Sequence, residues 1–313
     1  MFGACPIPTE TLEAFLDAHG LPIGPLEPIL GQAVVNWVFR VGDSHVLRIS
    51  KPDIDDGDAY TEQVAVPAVR AAGIDTPELL VFDESRSVVD SVVTVYTQVA
   101  GVALGRIEVD QRQLAGVYRR LGEEVARIQL LVHDVPDPHG RLDPDETSDC
   151  RAEVQEAGKT GQIDALTEVW LSRWLDRLEP ALQDKPPKVF AHQDLHAFNT
   201  MVTQDPLAFR CVIDWGDAGW ADPTSDFTAV PIWAVPWMIE GFEAQGGVVD
   251  PGFIGRILWE TAASLFHFRD HPGDEPWAPR NLSFWANLAR LFRMDLDRRW
   301  HPWLPDAIPG EGS

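Results

Sequence analysis

Residues 189–202 have the sequence Val-Phe-Ala-His-Gln-Asp-Leu-His-Ala-Phe-Asn-Thr-Met-Val. It contains the pattern His-x-Asp-x-x-x-x-Asn, formed by His192, Asp194 and Asn199, between two short apolar runs. Fifteen residues after Asn199, Asp214 ends the apolar run Cys-Val-Ile. A short pattern of this kind also occurs in plain turns between strands. The position of Asp214 weakens that simpler interpretation considerably.

These residue types are those that phosphoryl transfer from ATP requires. The reaction needs a carboxylate that orients the acceptor hydroxyl and accepts its proton, and oxygen ligands for the magnesium ions beside the phosphates. In kinase catalytic loops an Asp, an Asn five residues later and a second Asp beyond the next hairpin have these roles. We therefore predict Asp194 as the catalytic base and Asn199 and Asp214 as ligands of Mg²⁺. His192 is predicted to support the loop.

The sequence resembles the aminoglycoside/macrolide phosphotransferase family, whose members have a protein-kinase-like fold. That family typically has His-Gly-Asp-x-x-x-x-Asn, then Ile-Asp-Trp, then Gly-Asp-Pro-x-x-Asp. The corresponding blocks here are residues 192–199, 213–215 and 221–226. Gln193 and Ala221 replace the usual glycines, and neither replacement touches a proposed chemical group. The resemblance implies phosphorylation of a small-molecule hydroxyl with ATP or GTP as co-substrate.

Two aspartates of the last block, Asp222 and Asp226, resemble family positions that brace the catalytic loop and the helix after it. We expect them to be structural, with direct contact to the site as the alternative. His196 lies two residues after Asp194. With His192 it could suggest a metal site, but no third ligand accompanies the pair, so that interpretation is not favoured.

The amino-terminal third has the elements of a nucleotide-binding lobe. Apolar runs separated by a turn predict a hairpin over residues 34–49, followed by a helix over residues 60–72. Kinases pair a strand cation with a helix carboxylate, and the cation reaches the α- and β-phosphates. Arg48 is the candidate cation, with Lys51 as the alternative, and Glu62 is the candidate carboxylate. Ordinary surface charges are the competing explanation of these residues.

Two further segments are candidates for contact with the nucleotide. Residues 30–36 contain one glycine where the phosphate loop of protein kinases has three. They argue neither for nor against a phosphate-binding loop at this place. Residues 95–101 resemble the hinge between the lobes of a kinase. Because a purine needs backbone donors and acceptors from an extended segment, Gln98 and Val99 are the candidates for binding it.

The order of predicted elements indicates an α+β, two-lobed protein-kinase-like fold. Residues 1–99 are rich in strands and would form the small nucleotide-binding lobe, with the hinge near residues 96–101. Residues 100–313 are mainly helical and would form the larger catalytic and substrate-binding lobe. The clearest amphipathic helices are predicted over residues 111–133 and 163–182.

The composition argues against several classes of function. The formal net charge is −24, so nucleic acid is not an expected partner. There is no run of about 18 apolar residues that would suggest a membrane-spanning helix, and the N-terminus lacks signal-peptide features. The three cysteines show neither disulfide nor metal-ligand spacing, which suits the cytoplasm. We expect a cytoplasmic protein with no membrane partner.

The acceptor is not determined by the sequence. Aromatic residues of the C-terminal half are more often core than ligand contacts. The acidic residues Asp270, Asp274 and Glu275 would suit a cationic acceptor, but the neighbouring Pro and Gly favour a solvated loop. The leading hypothesis is an antibiotic-type O-phosphotransferase. The alternatives are a metabolic kinase for a sugar, amino sugar or amino alcohol, and a non-catalytic nucleotide-binding pseudokinase. The oligomeric state stays open.

Overall fold

The computed structural model describes residues 5–29, 35–52, 56–143, 149–183, 186–267, 274–275, 278–279 and 284–305. The chain forms two compact units. The first unit consists of Met1–Ala100, Asp134–Leu142 and Ile213–Ala218, and the second of Gly101–His133, Asp143–Val212 and Gly219–Ser313. Two short segments from later in the chain thus belong to the first unit. The predicted division of the chain into a lobe of residues 1–99 and a lobe of residues 100–313 stays a prediction.

The first unit is built on a five-stranded antiparallel sheet with strand order β1-β2-β3-β5-β4. Its elements are α1 (Thr9–Ala18), β1 (Leu26–Pro28), β2 (Asn36–Val41), β3 (His45–Ser50), α2 (Gly57–Ala71), β4 (Leu79–Asp83) and β5 (Val93–Thr97). The predicted hairpin is present as β2 and β3. The predicted helix is present as α2, which starts at Gly57 rather than at Tyr60.

Alternation along β3 explains how the sheet positions Arg48. Leu47 and Ile49 are fully buried and pack in the same core cluster as Phe15 and Leu16 of α1. Burial of each such side chain stabilises the fold by roughly 1.5–3 kcal/mol. Because successive side chains of a strand point to opposite faces, Arg48 projects from the other face of the sheet.

Within its described residues, the second unit combines short strands with six α-helices. Its strands are β6 (Val102–Ala103), β7 (Val189–Ala191), β8 (Thr200–Gln204), β9 (Leu207–Val212), β10 (Gly219–Ala221), β11 (Asp274–Glu275) and β12 (Ala278–Pro279). They pair in the order β6-β8-β9, with β7-β10 and β11-β12 as separate pairs. The helices are α3 (Gln111–Leu131), α4 (Cys150–Lys159), α5 (Ala165–Leu178), α6 (Val235–Ala244), α7 (Phe253–His267) and α8 (Phe284–Phe292).

Helices α3 and α6 pack closely in the second unit because each has a glycine at the contact. A Cβ atom at Gly122 of α3 would overlap the backbone carbonyl of Met238 in α6. A Cβ atom at Gly241 of α6 would overlap the carbonyl of Arg119 in α3. These positions require glycine because two backbones occupy the space of a side chain.

The chain is therefore a mixed protein with a strand-rich part and a mainly helical part, as the sequence predicts. Helix α4 has no counterpart among the predicted helices, and its N-terminus is capped by the Asp149 carboxylate, which accepts the N–H of Ala152 at 3.0 Å. None of the helices in the described ranges combines the length and apolar character that crossing a bilayer requires.

Candidate active site

The loop between β7 and β8 is closed by a side chain at its own end. Asn199 Nδ2 donates to the backbone oxygen of Asp194 and to its Oδ2, both at 2.9 Å. This pair of bonds explains why the two residues are spaced five apart. Since both bonds use the amide nitrogen, the Oδ1 atom of Asn199 remains the oxygen donor for a cation.

His196 lies beside the same carboxylate. Its Nδ1 accepts the N–H of Phe198 at 3.1 Å, so the neutral ring has its proton on Nε2. Nε2 lies 3.4 Å from Asp194 Oδ2. Both His196 and Asn199 thus contact Oδ2, whereas no hydrogen bond within the described residues reaches Oδ1. The Asp194 side chain is 34% exposed, which suits a base that meets a substrate hydroxyl.

Asp226 braces the start of this loop. Its Oδ1 accepts the backbone N–H of His192 at 2.9 Å and that of Gln193 at 2.8 Å. Gln193 has a φ of +68°, in the left-handed region where glycine is usual. The Asp226 carboxylate therefore holds a residue with a side chain in a conformation that glycine would adopt without strain. This is how the chain accommodates Gln193.

The Asp226 carboxyl is fully buried. Burial raises its pKa to about 7, and the hydrogen bonds from the Gln193 and His192 backbones act in the opposite direction. Its Oδ2 has no hydrogen-bond partner within the described part of the chain. The Asp226 carboxyl therefore binds a proton more tightly in the folded protein than in the unfolded chain.

In the first unit, Arg48 lies at the centre of an ion-pair network. One terminal nitrogen donates to Glu62 Oε1 at 2.7 Å, and the other donates to Asp214 Oδ1 at 3.0 Å. Tyr96 donates its hydroxyl to Glu62 Oε2 at 2.5 Å, and its ring lies 5.8 Å from the guanidinium carbon. A lysine has a single nitrogen and could not contact both carboxylates in this geometry.

Burial and charge compete within this network. Burial raises the pKa of Glu62 to about 7, and the Arg48 charge opposes that rise. Burial lowers the pKa of Arg48, but the charges of Asp214 and Glu62 outweigh it, so the pKa lies well above its usual value. Burial and the Glu62 charge also raise the pKa of Tyr96, which keeps its hydroxyl protonated as a donor.

The segment after Asp214 is anchored on α2 and the loop that follows it. The Trp215 N–H donates to Glu62 Oε1 at 3.3 Å, and its indole Nε1 donates to Thr76 Oγ1 at 2.9 Å. The Trp215 side chain is buried. Asp214 itself has a φ of +70°, which costs energy for a residue with a Cβ atom. Packing of Trp215 on the α2 side of the network holds Asp214 in that conformation.

The donor chemistry of the candidate metal ligands fits Mg²⁺. Asp214 is 43% exposed and offers a carboxylate, and Asn199 in the other unit offers an amide oxygen. Mg²⁺ typically binds to one or two protein carboxylates together with substrate phosphates. The described residues include no group of three or more His, Cys, Asp or Glu side chains that could hold a metal ion.

The predicted hinge begins where β5 ends. The Gln98 N–H donates to Ser44 O at 2.8 Å, and Gln98 stays a candidate for contact with the purine. Its carbonyl and side-chain amide remain, and the buried Oε1 has no hydrogen-bond partner in the described ranges. Val99 is partly exposed and stays a candidate.

Some residues named in the sequence analysis lie outside the described ranges. Residues 30–34 of the expected phosphate loop lie outside the described residues, as do Asp270 and the side chains of Asp274 and Glu275. Among the aromatic residues, Trp215, Trp233 and Trp259 are buried, as expected for core residues.

Sequence comparison identifies the family. The model of the APH phosphotransferase enzyme family matches residues 27–265, well over half of the chain. The chain belongs to this family. The predicted resemblance, the kinase-like fold class and the enzyme class, a phosphotransferase with a hydroxyl acceptor, are thereby confirmed. A comparison with curated proteins gave no match.

Solved structures of similar fold include a kinase family protein and several phosphotransferases. A choline/ethanolamine kinase family protein from Mesorhizobium loti is 21% identical, with a TM-score of 0.57 over 94% of this chain and 97% of that one. The GDP complex of aminoglycoside 2'-phosphotransferase-IIIa is 17% identical, with a TM-score of 0.62 over 90% and 96%. Spectinomycin phosphotransferase with ADP and spectinomycin is 15% identical, with a TM-score of 0.51 over 94% and 96%. At these identities the likeness shows the fold.

The sequence analysis assigns no site role to three residues that contact predicted site residues. Tyr96 and Trp215 contact Glu62, and His196 contacts Asp194. Trp215 belongs to the Ile-Asp-Trp block, so its position was visible although its contacts with α2 were not. His196 could have been found from its place two residues after Asp194. Nothing in the sequence near Tyr96 indicates a hydrogen bond to a residue 34 positions away.

Proposed function

We propose that this phosphotransferase transfers the γ-phosphoryl group of ATP or GTP to a hydroxyl of a small, antibiotic-type acceptor such as an aminoglycoside or a macrolide. The observation that carries the proposal is the guanidinium of Arg48, bonded to both Glu62 and Asp214. A permanent cation, oriented by a helix carboxylate beside a metal-ligating carboxylate, is what the α- and β-phosphates of a nucleotide require.

The chemical step assigns one role to each oxygen of Asp194. Oδ1 accepts the proton of the acceptor hydroxyl while the hydroxyl oxygen forms a bond to the γ-phosphorus. The bond between the γ-phosphorus and the bridging oxygen breaks, and the nucleoside diphosphate leaves. Asn199 and His196 hold Oδ2, which fixes the direction of the base. Asn199 Oδ1 and Asp214 would hold Mg²⁺, which neutralises phosphate charge when bound.

Charge and fold support a cationic acceptor without distinguishing its class. A net charge of −24 attracts cationic molecules to the protein surface, which suits an aminoglycoside. The likeness to a choline/ethanolamine kinase family structure over 94% of the chain favours a second candidate, a metabolic kinase for an amino alcohol or amino sugar. The presence of Asp194, Asn199 and Asp214 argues against a pseudokinase.

The test is nucleotide turnover against a mixed acceptor panel. ATP and GTP would be supplied with Mg²⁺ or with EDTA, and the acceptors would be aminoglycosides, macrolides, choline, ethanolamine and sugars. Wild type would be compared with Asp194→Asn, which keeps the side-chain shape, and with Asp17→Asn on the exposed face of α1 as the matched control.

We expect acceptor-dependent release of nucleoside diphosphate by wild type and Asp17→Asn, and a loss of about 10²- to 10⁴-fold in Asp194→Asn. The responding acceptors identify the substrate class. Nucleotide binding without turnover on any acceptor would support the pseudokinase, and the absence of nucleotide binding would overturn the proposal.

A further inference from the structure

One segment of the first unit comes from the middle of the second. Residues Asp134–Leu142, here called the connector, belong to the first unit, although His133 before them and Asp143 after them belong to the second. The connector follows α3 and precedes α4 in the chain. Its contacts within the first unit therefore need an explanation.

The connector has a defined turn. The Asp137 carboxylate accepts the N–H of Arg141 at 2.8 Å through Oδ1 and that of Leu142 at 3.1 Å through Oδ2. Gly140 has a φ of +65°, which this turn needs and which glycine adopts without strain. Leu142 is fully buried, whereas His139 is exposed. The turn thus presents His139 and Arg141 from an anchored backbone.

Both of these side chains contact Tyr60 of α2. The ring centroids of His139 and Tyr60 are 4.8 Å apart at an interplanar angle of 57°. The Arg141 guanidinium carbon lies 5.9 Å from the Tyr60 ring centroid, within the range of a cation–π contact. On the sheet, Phe82 of β4 makes an edge contact with the same ring at 5.4 Å. Tyr60 is therefore held between the sheet and the connector.

Helix α2 needs such contacts because its own start is weak. Asp56 precedes the helix but makes no capping hydrogen bond, and its carboxylate pairs with Arg86 at 2.9 Å instead. Pro67 inside the helix has no N–H to donate to the carbonyl four residues earlier. The first part of α2 thus lacks a side-chain cap and one backbone hydrogen bond, so tertiary contacts such as those of Tyr60 help to hold it in place.

These turns carry Glu62. At about 100° per residue, Tyr60 and Glu62 project from nearly opposite sides of the helix. Tyr60 meets the connector and Phe82, while Glu62 is buried against Arg48. A rotation or shift of this part of α2 would separate Glu62 from Arg48.

We propose that the connector clamps α2 through Tyr60, so that His139 and Arg141 are positioning residues for the nucleotide site. The inference rests on the proposed function, because it assumes that the pair of Glu62 and Arg48 orients the phosphates. The connector lies outside the chemical site and acts only through the helix.

The test measures the dissociation constants of Mg·ADP and Mg·GDP by calorimetry, which requires no acceptor. The variants are Tyr60→Ala, Tyr60→Phe, and His139→Ala combined with Arg141→Ala. His133→Ala, an exposed histidine just before the connector, is the matched control. Glu62→Gln reports whether the ion pair matters for binding at all. Melting temperatures are measured in parallel.

We take the nucleotide, Mg·ADP or Mg·GDP, that wild type binds more tightly. The connector double variant and Tyr60→Ala should bind it roughly 3- to 10-fold more weakly than wild type does. Tyr60→Phe keeps the ring and loses only the hydroxyl bond to Glu84, so it should bind like wild type. Combining Tyr60→Ala with the connector changes should add nothing, because the connector acts through that ring.

The outcomes separate the two proposals. Wild-type affinity in the connector double variant, together with weaker binding by Glu62→Gln, would overturn the clamp and leave the proposed function intact. Wild-type affinity in Glu62→Gln would overturn the assumption about the ion pair and with it the clamp, while the proposed function would still be decided by acceptor-dependent turnover. Because His139 and Arg141 are exposed, their double variant should fold even if Tyr60→Ala does not.

Discussion

The two units hold their candidate site residues in different ways. In the first unit, Arg48 and Glu62 are bonded to each other, and every additional partner comes from a distant part of the chain. In the second unit, Asp194 is held by Asn199 and His196, which lie within five residues of it. One arrangement is centred on a largely buried ion pair, Arg48 and Glu62, and the other is a short loop whose carboxylate is partly open to solvent.

The difference separates residues that support the fold from residues that perform chemistry. Removing one member of a buried ion pair leaves its partner as an uncompensated charge, which is strongly destabilising. Removing a carboxylate that is partly open to solvent, such as Asp194, costs less stability, because water can reach the atoms it leaves behind. We therefore expect changes in the network to affect stability and binding together, and changes in the loop to affect turnover alone.

The largest effect that would test this comparison is on stability at Arg48. Arg48→Ala should lower the free energy of unfolding by about 3–5 kcal/mol, since Glu62 stays buried without its cation. Arg48→Lys should lie between Arg48→Ala and wild type, because lysine keeps the charge but lacks the planar fork whose two nitrogens bond the two carboxylates. Urea unfolding measures both, with Asp194→Ala as the comparison from the exposed loop. Equal losses in Arg48→Ala and Asp194→Ala would break the distinction.

A smaller effect concerns the buried support of the loop, Asp226. Its pKa is raised from 3.8 to about 7 on folding, so the folded state binds this proton more tightly than the unfolded chain. Stability from Asp226 is thus complete at low pH and is lost as the pH rises through about 7. Urea midpoints at pH 5 and pH 8 should show wild type losing on the order of 1–3 kcal/mol relative to Asp226→Asn.

Asp226→Asn is the appropriate reference because its amide oxygen can still accept the N–H groups of His192 and Gln193. A difference between the two proteins that stays constant from pH 5 to pH 8 would contradict the prediction. It would mean that Asp226 has the same protonation in the folded and unfolded states.

The smallest effect should be found at His196. His196→Ala removes one of two contacts with Asp194 Oδ2 and should lower kcat by roughly 3- to 10-fold, with nucleotide KM unchanged. Asn199 continues to hold the same oxygen, which limits the loss. The measurement is steady-state kinetics with a responding acceptor, and His196→Gln, which can donate from its amide, should recover part of the rate. A change in nucleotide KM alone would assign His196 to binding instead.

The sequence predicts best those features that depend on contacts between residues close together in the chain. The spacing of Asp194 and Asn199 follows from a bond across five residues, so a short motif contains it. The hairpin of β2 and β3 is similarly visible from apolar runs around a turn. Asp214 was found because its block keeps the family pattern, although Arg48, which bonds it, lies 166 residues earlier.

Contacts that depend on the folded chain were not visible. No periodicity relates Tyr96 to Glu62, and no motif places Trp215 against the α2 helix. The connector is a further case, because Asp134–Leu142 has the composition of an ordinary link between helices. Which unit such a link joins is decided by packing between elements that are far apart in sequence.

The return of Ile213–Ala218 to the first unit has a consequence for how the protein is made. Domains commonly fold as they leave the ribosome, in order from the N-terminus. Here Arg48 and Glu62 are synthesised first, but Asp214 and Trp215 emerge only after about half of the second unit. A nascent chain that ends before residue 213 cannot complete the network around Arg48. The first unit is therefore completed only after the intervening residues Asp143–Val212 of the second unit have been synthesised.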